Sequence, residues 1–116
     1  MFDNSINAPI MGGNGINMRI ISKRTLREFW QQPAYSDSQG QLEASHDEVL
    51  QANWSTPQEL KAQFRNASIL PDSRVVFNIK GNDYRLIVKI NYPYKMVYVR
   101  FVGIHEAYNK IDAVTI

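Results

Sequence analysis

The spacing of apolar and polar positions changes once along the chain, near Pro71. Before that point apolar residues recur at helical intervals, and after it they alternate. Arg19-Ile20-Ile21 reads as a short strand. Ser22 or Thr25 then opens a helix with Leu26, Phe29 and Trp30 on one face. Thr25-x-x-Glu28 has capping-box spacing, and Pro33 ends the helix. Ser36-Asp37-Ser38-Gln39 repeats that spacing, so a second helix is predicted over 37–52, with Leu42, Val49 and Leu50 as its stripe. Thr56-Pro57-Gln58-Glu59 is the strongest start signal: a capping threonine, proline at the first helical position and an acid at the third. The third helix carries Leu60 and Phe64 and is expected to end near Asn66. Period two then marks strands at Val75–Ile79, Tyr84–Asn91 and Met96–Ile104, with turns at 80–83 and 92–95 and a short helical piece near 106–112. The expected fold class is α+β: a small, antiparallel-rich sheet of three C-terminal strands plus the short N-terminal one, covered on one face by two or three helices.

Parity assigns the faces. Setting Ile79 opposite Tyr84, and Asn91 opposite Met96, gathers Val75, Phe77, Ile79, Tyr84, Leu86, Val88, Ile90, Val97, Val99 and Phe101 on one apolar face for the helices to cover. The other face receives Arg74, Val76, Asn78, Arg85, Ile87, Lys89, Tyr98, Arg100 and Val102. Four cations there surround a small apolar patch and imply either a solvated face or one that an anion visits. A one-residue slip would scramble the assignment, and this register is the one that keeps the apolar face clean.

Composition narrows the classes. At 116 residues with 44% hydrophobic content the chain suits one domain with a real core. It has no cysteine, which excludes disulfides, thiolate metal sites and a cysteine nucleophile. No apolar run approaches the ~20 residues of a membrane span. Residues 1–17, rich in Asn and Gly and without period, read as a flexible extension and lack the basic start and apolar stretch of a secretory leader. The domain is expected over 18–116, in the cytoplasm. The net charge of +2 is unevenly spread: residues 31–56 hold four acids (Asp37, Glu43, Asp47, Glu48) and no Lys or Arg, while residues 57–116 hold nine Lys/Arg against five acids. That basic half fits a polyanion partner.

The run V-V-F-N-I-K-G-N-D-Y-R-L-I-V-K-I-N-Y, followed by V-Y-V-R-F-V-G-I-H-E-A-Y-N-K-I-D, resembles the HigB family of toxin–antitoxin toxins within the RelE-like group. The resemblance covers about residues 18–116 and includes I-S-K-R-T-L-R-E-F-W and A-N-W-S-T-P-Q-E-L-K. It implies a RelE-like fold and a ribonuclease that cuts mRNA, on the translating ribosome, by attack of the ribose 2′-hydroxyl. It also implies a HigA-like helix-turn-helix antitoxin as partner. The positions matching the family's site are Asn78, Arg85, Arg100, His105 and Tyr108. The family usually reads G-T-H where this chain has Gly103-Ile104-His105, and an aromatic is common near Ser45.

The chemistry such cleavage needs is compatible with those residue types. Arg85 and Arg100 offer planar, permanently charged forks for phosphate. His105 follows the last strand, and imidazole as a group titrates near neutrality, where proton transfer is useful. Tyr108 could stack on a base or lend its hydroxyl, and Asn78 could orient Arg85 or the phosphate. Arg74, Lys80, Lys89 and Arg65 are candidate RNA-backbone contacts. Glu106, Lys80 and Lys89 remain open as the base. His46 is expected to be exposed on the acidic helix. No His or carboxylate cluster has metal-ligand spacing, so a route without metal or cofactor is favoured. The alternative is a non-catalytic RNA-binding or corepressor module using the same basic face. Because residues 1–17 offer no apolar period to bury, their removal is expected to leave the melting temperature nearly unchanged; a large drop in a thermal melt would show that they pack on the domain.

Overall fold

The computed structural model describes residues 17–116; the extension expected over 1–17 lies, apart from Asn17, outside the described residues. In chain order the elements are β1 (Arg19–Ile21), α1 (Lys23–Trp30), a 3-10 segment (Pro33–Ser38), α2 (Gln39–Leu50), α3 (Pro57–Gln63), β2 (Ser68–Ile69), β3 (Arg74–Ile79), β4 (Tyr84–Asn91), β5 (Met96–Ile104) and α4 (His105–Tyr108). The strands form one sheet in the order β1-β5-β4-β3-β2. All pairs are antiparallel except β1 with β5. The two-residue β2, absent from the sequence expectation, caps the β3 edge; two residues are too few to show a period.

The helix starts differ from their sequence signals. Ser22 precedes α1 in a left-handed conformation with no side-chain cap, and Glu28 is taken by Arg24 at 2.8 Å rather than by a capping box at Thr25. The predicted second helix divides: Ser38 Oγ donates to the Tyr35 carbonyl at 2.7 Å, closing the 3-10 segment, and α2 begins afterwards. At α3 the expected box forms, with Glu59 N–H donating to Thr56 Oγ1 at 3.2 Å and Glu59 Oε1 accepting from the Thr56 N–H at 3.2 Å.

The β3–β4 register is the expected one, Ile79 facing Tyr84 and Asn78 facing Arg85. Between β4 and β5 it holds from Asn91–Met96 to Val88–Val99, then slips: Ile87 faces Phe101, and Leu86 faces Val102. Arg100 is the extra residue of this bulge. Phe101 therefore leaves the inner face expected for it, and Val102 and Ile104 pack against the core instead.

Helices α1 and α2 close the inner face over Leu26, Phe29, Trp30, Leu42 and Val49. The α2 stripe is Leu42, His46 and Val49, while Leu50 is exposed. His46 is thus only 8% exposed, against the expectation of a solvated side chain. It lines an inner cavity of about 20 Å3 together with Ser45, and its Nδ1 has no hydrogen-bond partner among the described residues. Burial holds the imidazole below its ordinary range; Asp47, whose Oδ1 is 3.5 Å from Nδ1, opposes that shift in part. The unfolded chain therefore binds a proton that the native state resists. The stability His46 contributes is present above about pH 6.5 and is lost as pH falls through the lower native value. Urea unfolding at a series of pH values should show that decline, and His46→Leu should flatten it.

Candidate functional site

The outer face, opposite the helices, is arranged in rows by the strand register. Asn78, Arg85 and Gly103 form the row nearest α4; Val76, Ile87 and Phe101 form the middle row; Arg74, Lys89 and Tyr98 form the far row. The middle row is more buried than a solvated face would be: Ile87 is 0% and Val76 3% exposed, although neither belongs to the core beneath the helices. Contacts of Ile116 show what reaches this side. Its main-chain carbonyl oxygen accepts from Arg74 Nε at 3.0 Å and Nη2 at 2.6 Å, and from Arg100 Nε at 3.3 Å. Arg74 is on β3 and Arg100 on β5, so the segment after α4 ends over the sheet between them. The outer face is not the open basic surface that parity alone suggested.

The candidate residues fall into two groups. At the α4 end, Arg85 is half-buried, donates from Nη1 to the Asn82 carbonyl at 3.1 Å and holds its Cζ 5.6 Å from the centre of the Tyr108 ring. A cation over an aromatic face at this range is attractive. His105, exposed at the first position of α4, has its ring 6.4 Å from that of Tyr108. Asn78 flanks Arg85 on β3. This constellation brings together a guanidinium against an aromatic ring, an exposed imidazole and a phenol, residue types that can bind an anion, exchange a proton and stack. Glu106 is exposed next in the chain.

Gly103, facing Arg85 on β5, is needed for space rather than for backbone freedom. A Cβ there would lie 2.6 Å from Phe101 Cζ, because the Phe101 ring crosses that position.

At the far end stand Arg74, Lys89 and Arg100. Arg74 is only 5% exposed, with Nη1 donating to Asp72 Oδ2 at 2.7 Å and its other nitrogens given to Ile116. It is bound up within the chain. Lys89 Nζ lies 4.0 Å from the Asp72 carboxylate and its side chain is partly exposed. Arg100 is exposed, at the unpaired position of the bulge. The two arginines expected to act together, Arg85 and Arg100, are therefore engaged with different partners, one with Tyr108 and the other with Ile116.

Two other candidates stand apart from both groups. Lys80 Nζ pairs with Asp37 Oδ2 at 2.5 Å on the helical side, and Asp37 also accepts from the Tyr84 hydroxyl. The Lys80 and Tyr84 hydrogen bonds hold the Asp37 carboxyl below its usual range, and the same contact pushes the Tyr84 hydroxyl up to about 12. Arg65 is exposed in the loop between α3 and the edge strand β2. Among the described residues no group of three or more His, Asp or Glu could hold a metal ion, and no helix is long and apolar enough to cross a membrane. Sequence reasoning missed the Ile116 contacts, for which the sequence holds no signal, and the place of Phe101, for which Gly103 two residues on was the one clue.

Residues 38–111 match the sequence model of the HigB toxin family, the RelE-like toxic component of a toxin–antitoxin system. The mRNA interferase toxin HigB of Escherichia coli (strain K12) is 25% identical over 99 residues, which cover 84% of this chain and 93% of that protein. The mRNA interferase HigB of Escherichia coli O6:H1 (strain CFT073) is 27% identical over 96 residues, or 81% and 91% of the two chains. Gly103→Ala is expected to destabilise the fold by about 1–3 kcal/mol through overpacking, with partial recovery when Phe101→Leu is added; urea denaturation of the single and double variants tests this.

Proposed function

Because this chain belongs to the HigB toxin family, the RelE-like toxic component of toxin–antitoxin systems, we propose that it is an endoribonuclease that cuts mRNA at Arg85, His105 and Tyr108. The observation that carries this reading is the Arg85 guanidinium held 5.6 Å from the Tyr108 ring beside an exposed His105. Similarity over most of the chain to proteins named mRNA interferase supports it.

In this mechanism Arg85 grips the scissile phosphate and stabilises the negative charge that grows on its oxygens. The ribose 2′-hydroxyl gives up its proton, its oxygen bonds to phosphorus, and the bond from phosphorus to the 5′-oxygen breaks. The products are a 2′,3′-cyclic phosphate and a 5′-hydroxyl. His105 protonates the leaving 5′-oxygen. Glu106 is the candidate to take the 2′-proton, since Lys80 is held by Asp37 and Lys89 lies four residues from Arg85 along β4, about 13 Å at strand spacing. Tyr108 fixes the Arg85 fork and offers its ring to a neighbouring base. Asn78 steadies the clamp from β3. Arg100 and Lys89 bind the RNA backbone away from the cut, with Arg65 an outlying contact. Arg74 secures the C-terminal segment through its own bonds to Ile116. The substrate is mRNA on the translating ribosome, and a HigA-like helix-turn-helix antitoxin silences the toxin.

Expression of the chain should arrest growth, and co-expression of the antitoxin should restore it. In a cleavage assay on ribosome-bound mRNA, Arg85→Ala and His105→Ala should each lower the rate by roughly 10²–10³-fold, with unchanged circular dichroism. Arg85→Lys should recover only part of it, because the fork is lost. Wild-type rates in both alanine variants would refute the site. RNA binding without any product from the wild-type protein would refute the enzyme. Equal rates on free and ribosome-bound mRNA would refute the ribosome requirement.

A further inference from the structure

At the end of the outer face remote from α4, a cleft of about 540 Å3 opens between the turn that precedes β3 and the β4–β5 hairpin. Lys89 and Arg100 provide cationic walls, Tyr98 and Tyr92 aromatic ones, and Ser73 and Asn91 polar edges. Among the described residues no carboxylate lines it; Lys89 Nζ lies 4.0 Å from the Asp72 carboxylate. Arg100 gives its Nε to the Ile116 carbonyl, which leaves the two Nη groups of its fork to donate. Asn91 Oδ1 accepts from the Tyr94 N–H at 3.1 Å, so the amide NH2 is the part of Asn91 that can donate outward. Tyr94, at the hairpin tip beside the cleft, is 76% exposed. The volume falls in the range of small-molecule sites.

We propose that this cleft is a second RNA subsite, which holds one nucleotide of the single-stranded substrate away from the cut. The Tyr98 ring stacks on the base, Lys89 and Arg100 take its phosphate, and Asn91 donates to a base or sugar oxygen. The subsite rests on the ribonuclease reading of Arg85 and His105 but uses none of those side chains. Its distance from Arg85, about 13 Å along β4, makes it a flanking position rather than part of the cleavage centre. An acidic protein segment would need only the cations. Cations combined with aromatic walls and an amide suit a nucleotide, because every base has a face to stack and every phosphate a charge to neutralise.

The test is equilibrium binding of a fluorescein-labelled single-stranded RNA to the full chain, followed by anisotropy over a range of salt. Tyr98→Ala should weaken binding roughly five- to hundredfold, the effect of losing one stacked base, and Tyr98→Phe should bind as the wild type does. Tyr98→Ala removes packing as well as stacking, so Lys89→Ala, whose side chain is 42% exposed, provides a second measure. It should reduce the slope of log affinity against log salt by about 0.7, the value for one phosphate contact on a single strand. Unchanged affinity in Tyr98→Ala together with an unchanged slope in Lys89→Ala overturns the subsite; an acidic protein segment as the true occupant would give that result. His105→Ala separates the two readings. If it cuts RNA normally the cleavage assignment fails, while the subsite still stands or falls by the binding data alone.

Discussion

One extra residue in β5 sets the geometry of the whole outer face. From Asn91–Met96 to Val88–Val99 the β4–β5 ladder keeps a constant register, and Arg100 then has no opposite number. A bulge of this kind re-aims side chains on one strand while its partner stays straight. Here it turns Phe101 outward onto Ile87, sends Val102 and Ile104 inward to the core, and brings Gly103 opposite Arg85. The Phe101 ring then crosses the glycine, so a side chain there would have to displace the ring. Arg100 itself stays on the outer side, where its Nε reaches the Ile116 carbonyl.

The second consequence is that the outer face is divided. Arg74 and Arg100 converge on one carbonyl oxygen, which anchors the C-terminal segment over the sheet while Ile87 and Val76 lie buried between the two ends of the face. Four like charges on an uncovered face would repel one another. Two of them share an acceptor, Arg74 has the Asp72 carboxylate as well, and Arg85 lies against an aromatic ring. The cations are thereby held apart as two separately satisfied groups. One lies beside the His105 imidazole and the Tyr108 phenol; the other lines a cleft with an aromatic wall.

Beneath the sheet, the acidic stretch 31–56 is tied to the basic C-terminal half. Asp37 receives both Lys80 and the Tyr84 hydroxyl, which joins the 3-10 segment to the β3–β4 turn. Lys95 Nζ donates to the Trp54 carbonyl at 2.8 Å and to Ser55 Oγ at 3.0 Å, joining the other hairpin to the start of α3. Phe29 stacks on Tyr35 and meets Tyr84 edge-on. These links brace both ends of β4, so the strand that carries Arg85 and Lys89 stands on a fixed support.

Much of this was legible in the sequence, for local reasons. Alternation and turn residues located β3, β4 and β5, and the β3–β4 register followed from keeping one face apolar. Thr56 capped α3 as its motif required, because a capping box is decided within four residues. Arg85, His105 and Tyr108 were picked out by motif, and in the fold they gather at one end of the sheet. What the sequence could not determine depended on contacts between distant segments. The bulge at Arg100 reflects how β5 fits β4 and the core together, and no residue type announces it. The burial of His46 was decided by which face α2 turns to the core: Leu42, His46 and Val49 lie inward, and Leu50 is exposed. Arg74 looked like one more exposed cation until the C-terminal segment folded back on it. Such pairings across 42 positions are set by packing, whereas a helix cap or a strand's alternation is set by its immediate neighbours. Tertiary structure alone therefore decided which of the cations were free to meet a substrate.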